Sequence, residues 1–147
     1  MSTTPKAQEQ HPNSVVLLDN IALADGGDET SIVASIGGFR HKVLTIATAG
    51  LSSGKSVEIE VRISNQHDVD FESAASETNR WSLVQMKDLY NQDSKNGSIT
   101  IADSNDSKSL AINADDMRWL AVKATFTGAG QSVTVQLDLF GKHNEDN

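Results

Sequence analysis

Residues Ser56 to Ser64 read SVEIEVRIS. Val57, Ile59, Val61 and Ile63 alternate with Glu58, Glu60 and Arg62. A period of two puts four β-branched side chains on one face of a strand and the charges on the other. A helix would scatter the same residues around its circumference. This stretch therefore commits the chain to a sheet with one face in a core and one in water.

The rest of the sequence repeats the signal more weakly. Val15 to Ala24 reads as a first strand or extended segment, and Asp25-Gly26-Gly27-Asp28 as a turn. Thr30 to Ile36 is short and β-branched, and Phe39 to Thr48 carries Val43, Leu44 and Ile46. Trp81 to Met86 predicts a strand with Trp81, Leu83 and Gln85 on one face. Ser98 to Ala102 and Ser109 to Asn113 predict two more, separated by the turn formers Asp103 to Ser107. Arg118 to Thr127 sets Leu120, Val122, Ala124 and Phe126 inward, and Ser132 to Phe140 does the same with Val133, Val135, Leu137 and Leu139. Gly128-Ala129-Gly130-Gln131 between them reads as a hairpin turn. Only Ala75 to Arg80 or Lys87 to Tyr90 has room for a helical turn. About eight short strands at regular spacing predict an all-β, antiparallel, jelly-roll-like β-sandwich. Residues 1–24 are expected to be a flexible N-terminal arm and a first extended segment, 25–142 the sandwich, and 143–147 a polar tail.

Composition narrows the chemistry. The 147 residues include no cysteine, which excludes disulfides, thiolate metal sites and cysteine nucleophiles. Twenty acids against twelve bases give a net charge of −8, which argues against nucleic acid as a partner. The excess is local, because Ser64 to Asp116 carries ten acids and four bases. No apolar run reaches the ~20 residues of a membrane span, and Met1 to Ser14 has no apolar signal region. Synthesis in the cytoplasm and no membrane partner are the expectations.

Motifs for catalysis are absent. His11, His41, His67 and His143 form no ligand or nucleophile pattern. Glu58 and Glu60 sit on a predicted solvent face, where charge is the default. Asp68, Asp70 and Glu72 alternate, as weak candidates for a hard cation would. The glycine of a calcium loop is missing, and Phe71 interrupts the run. No cofactor is expected. The aromatic residues offer more. Trp119 and Phe140 are out of phase with the inward residues of their strands, and aromatics anchor interfaces. Arg118 and Lys123 flank Trp119, so these four are the candidate partner-binding residues. The other strand-borne bases, Arg40, Lys42, Lys55 and Arg62, are candidates for ion pairs with another chain. Trp81 and Tyr90 are the candidates for a glycan platform.

The text of the last third carries a resemblance. RWLAVKATFT from Arg118, then GAGQ, then SVTVQLDLFGK ending at Lys142, is similar to the closing hairpin of small β-sandwich virion proteins of tailed bacteriophages. Ser56 to Ser64 and RWSLV from Arg80 resemble their middle strands. The resemblance spans roughly residues 40–142. It implies a non-enzymatic virion structural protein, a capsid decoration (cement) protein above all. It further implies a homotrimer on the capsid surface, with the major capsid protein or other virion proteins as partners. The alternative is a carbohydrate-binding module or a tail or head-fibre adhesin on the same fold. A calcium-dependent or hydrolytic enzyme is the third reading.

Overall fold

A computed structural model of the chain describes residues 13–65, 81–114 and 117–142. Twelve strands run through them: β1 (Asn13–Ile21), β2 (Asp28–Thr30), β3 (Ala34–Ser35), β4 (Phe39–Ala49), β5 (Ser56–Ser64), β6 (Ser82–Leu83), β7 (Gln85–Asp88), β8 (Ser94–Asn96), β9 (Ser98–Ala102), β10 (Ser107–Asn113), β11 (Trp119–Thr127) and β12 (Ser132–Lys142). The protein is all-β, and every pairing is antiparallel. The first sheet has the order β1-β12-β4-β10-β7-β8. The second has the order β2-β11-β5-β6, with β3 also on β11 and β9 also on β5.

The core lies between the sheets and follows the alternation. Val57, Ile59 and Val61 of β5 are no more than 1% exposed, while Glu58 is in solvent. Leu120, Val122, Ala124 and Phe126 of β11 meet them from the next strand, fully buried. Leu44 and Ile46 of β4, Leu110 of β10 and Val135 and Leu137 of β12 fill the facing layer. Full burial of one such side chain contributes roughly 1.5–3 kcal/mol. Facing rows of aliphatic residues are what hold two twisted sheets together.

Four expectations change. Twelve strands replace about eight, because short polar edge segments such as β8 pair without needing an apolar face. The stretch Thr30 to Ile36 divides into β2 and β3, both alongside β11. The segment Trp81 to Met86 changes sheets at Val84: β6 pairs with β5 and β7 with β10. Val84 and Met86 enter the core, whereas Leu83 is 52% exposed. Lys87 to Tyr90, which had room for a helical turn, is the end of β7 and the start of a turn that the Gln92 N–H closes on the Asp88 carbonyl. Ala75 to Arg80 lies outside the described residues, as do residues 1–12 and the tail 143–147. Residues 13–21 are a full strand of the first sheet, with Leu17 and Leu18 buried.

The fourth change concerns the glycine-rich turn before β12. β11 and β12 do not pair with each other; they belong to different sheets. Gly128 to Gln131 is an arch across the top of the core. Gly128 and Gly130 take φ values of 84° and 102°, a region that glycine enters without steric cost. Gln131 is fully buried beneath the arch. Its Nε2 donates to the carbonyls of Thr127 at 2.8 Å and Ser56 at 3.1 Å, so a side chain replaces the ladder that a hairpin would have made.

The exposed edge strand β1 is irregular. Register shifts fall between Val16 and Leu18 and between Leu18 and Ile21. Each bulge inserts an extra residue, so Val15, Leu18 and Ile21, three apart in sequence, all align with inward residues of β12. Asn20 sits in the second bulge at φ 50°, a conformation asparagine tolerates.

Candidate functional site

The sandwich places the sequence candidates on three separate surfaces. Trp119 and Lys123 lie on the outer face of the second sheet, because they alternate with the buried Leu120 and Val122. Trp119 and Val33, both half-buried, pack with the buried Trp81 and Ala121 in a small satellite cluster. The Lys123 ammonium is 3.8 Å from Asp28. On β5 beside it, the Arg62 guanidinium makes a two-point contact with Glu60, at 3.2 and 3.1 Å. The backbone of Arg118 joins three strands: its N–H donates to Ser64 at 3.3 Å and its carbonyl accepts from Ile36 at 2.8 Å. Phe140 is on the opposite side of the molecule, on the outer face of the first sheet. It stacks on His41, with centroids 5.1 Å apart and planes at 27°. Trp119 and Phe140 therefore do not form one patch, although each ring is explained by the same phase argument.

The expected cross-chain bases are largely engaged within this chain. Lys42 is 3% exposed and donates to the Phe39 carbonyl at 2.7 Å. Lys55 packs along Gly128 of the arch. Arg62 and Lys123 have the partners given above.

The glycan pair also separates. Trp81 is 3% exposed, so it has no ring face for a sugar to stack on. Tyr90 is 91% exposed, at the tip of the β7–β8 turn. Asp68, Asp70 and Glu72 lie outside the described residues. Among the described residues, no three His, Asp or Glu side chains converge to hold a metal.

Among the described residues, a concavity lies at the rim of the sandwich, where the β7–β8 turn meets the arch from β9 to β10. Its volume is about 420 Å³, and Asp88, Leu89, Tyr90, Asp106, Ser107, Lys108 and Ser109 line it. Asp88 ends β7 and is 1% exposed. Its Oδ1 accepts from the Tyr90 N–H at 2.8 Å, and its Oδ2 lies 3.8 Å from the Lys108 ammonium. Lys108 also lies 3.3 Å from Asp106 Oδ2. The lysine thus bridges two carboxylates that come from different connections.

Backbone bonds fix the same turn. Asp88 N–H donates to the Asp93 carbonyl, Gln92 N–H to the Asp88 carbonyl and Leu89 N–H to the Ser109 carbonyl, at 2.8, 2.7 and 2.9 Å. Gln92 is held at φ 67°, uncommon for a residue with a Cβ. Asp106 is tied to the end of β4 through Thr48, whose hydroxyl accepts from the Asp106 N–H at 3.1 Å. Its carboxyl is held below the usual carboxylate range by the Ser107 N–H first and the Lys108 ammonium second. Sequence reasoning chose Tyr90 but missed Asp88, Asp106 and Lys108. Asp88 carries a local signal, an aspartate two residues before an N–H it can cap. Lys108 carries none toward Asp88, which is twenty positions away, and its nearer partner Asp106 reads in sequence as an ordinary loop acid.

No family model matches the chain, and no curated protein matches it. Among solved structures it is similar to the crystal structure of the SPBc2 prophage-derived protein YomS. The match covers 88% of this chain and 95% of that one, with a TM-score of 0.53 at 13% identity. At that identity the two share a fold.

Proposed function

We propose that the protein is a non-enzymatic structural protein of a bacteriophage virion, a capsid decoration (cement) protein that binds and stabilises the head shell. The observation that carries this reading is the likeness of nearly the whole fold to a protein of prophage origin. The winding of the chain supports it. β1-β12-β4-β10 faces β2-β11-β5-β9, and most successive strands change sheets. Such alternation fits the jelly-roll reading, a frame used by viral capsid and lectin domains. The acidic, cysteine-free composition suits a protein made in a reducing host cytoplasm and kept soluble at high copy number. On this reading the partner is the major capsid protein, the assembly is a homotrimer, and the location is the capsid surface.

The test is to mix purified protein with expanded, undecorated capsids of the phage that encodes it. Saturable binding, with greater resistance of the particles to heat, is the expected result. Absence of saturable binding refutes the cement role. Light scattering on the free protein checks the trimer.

A further inference from the structure

We propose that the rim concavity beside Tyr90 is a binding site for a neutral saccharide. Four features of the site lead there. The first is the tyrosine itself. A ring that is 91% exposed contributes almost nothing to the core, yet it stands on a turn closed by several hydrogen bonds. Its N–H is capped by a buried carboxylate, and the turn around it is closed by backbone bonds through Asp88, Gln92 and Asp93. A rigid turn presents its aromatic ring at little further entropic cost, which is how recognition surfaces use tyrosine.

The second feature is charge. Lys108 bridges Asp88 and Asp106. A cationic ligand would have to compete with this lysine for both carboxylates, and an anion would meet two negative groups. The lining keeps a net charge of −1, from two acids and one base, and is rich in directional groups. The exposed Asp106 carboxylate accepts, the Lys108 ammonium donates, and the Ser107 and Ser109 hydroxyls do both. The matching ligand is uncharged, with many hydroxyls along its edges.

The third feature is shape. About 420 Å³ falls in the range of small-molecule sites, where buried polar groups fix orientation. The fourth is the pairing of surfaces. A pyranose has an apolar C–H face, and the electron-rich face of an aromatic ring attracts weakly positive hydrogens. Tyr90 supplies the ring, and the rim supplies the hydrogen bonds. This inference does not depend on the virion role, because the site is complete within one chain.

The experiment exploits the fact that the chain has one tyrosine. The full-length protein, carbon-13 labelled in the tyrosine ring, is titrated with cellobiose, lactose and N,N′-diacetylchitobiose. At least one of these neutral disaccharides is expected to move the ring signals of Tyr90 saturably. Ligand-observed saturation transfer then compares variants. Tyr90→Ala is expected to weaken binding about tenfold, equivalent to about 1.4 kcal/mol. Tyr90→Phe should stay within about twofold of the parent, because it keeps the stacking face. Unchanged melting temperatures verify that both variants fold. The proposal is overturned by a Tyr90 ring that responds to none of the three sugars, or by a Tyr90→Ala variant that binds like the parent. It is equally overturned if only a trilysine peptide or inorganic phosphate moves the ring, since either would show that the site selects charge.

Discussion

Replacing Gln131 with alanine tests the arch between β11 and β12 directly. The side chain is fully buried and donates to the carbonyls of Thr127 and Ser56. Losing two hydrogen bonds of ordinary net strength costs about 2 kcal/mol. The space left by the missing side-chain atoms adds about 1–2 kcal/mol, depending on how far the arch settles. Against this, Gln131 Oε1 is buried with no partner. Its removal returns about 1 kcal/mol. The net expected loss is about 2–3 kcal/mol, or roughly 5–10 °C in Tm for a chain of this size. Urea denaturation gives the value as a shift in midpoint at unchanged slope. Gln131→Met retains most of the volume while removing the two donors and the orphan oxygen together, so it should lose only about 1 kcal/mol. Gln85→Ala, on the exposed side of β7, is the control and should stay within about 0.5 kcal/mol. A Gln131→Ala variant no less stable than that control would show that the glycine turn closes without its side chain, and the account of the arch would be wrong.

Three further outcomes follow from the same geometry. Gly50→Ala should be clearly less stable than Gly54→Ala in thermal melts. Both glycines have positive φ, but a Cβ at Gly50 would lie 2.7 Å from the Gly130 carbonyl oxygen, while nothing lies within 4 Å at Gly54. Ile59→Ala should cost about 2–5 kcal/mol in denaturant titrations, and Glu58→Ala on the other face close to nothing. Asp106 has a folded-state pKa below its ordinary value of 3.8, so its ionised form stabilises the fold above that pH. As pH falls through the depressed folded value, that contribution disappears. The Tm advantage of the parent over Asp106→Asn should therefore be full at neutral pH and shrink below about pH 4; an advantage that grows on acidification would contradict the assignment.

The sequence made some elements easy to read and hid others for physical reasons. β5 and β9 fall where the alternation places them, because each buries one face and exposes the other. β1 hides its period, since its two bulges turn an every-second pattern into Val15, Leu18 and Ile21. β8 has no apolar face and left no trace as a strand. The arch was misread as a hairpin because a glycine turn specifies local dihedral angles, not the sheet that the next strand joins. At the candidate site Tyr90 was visible by type alone. The Asp88–Lys108–Asp106 bridge was not, since it exists only after two connections meet in space.

The place of β12 in the first sheet governs when this chain can fold. β12 lies between β1 and β4, and among the described residues β1 pairs with no other strand. A nascent chain that has emerged only through β11 holds the second sheet's strands but lacks the strand that joins β1 to the rest of the first. Its β4 is missing a neighbour along eleven residues, and β1 has nothing to join. Long-range pairings of this kind form slowly and leave apolar strands open until they close. Ribosome-bound chains of increasing length should thus stay protease-sensitive until Leu139 has cleared the exit tunnel, and become resistant in a single step.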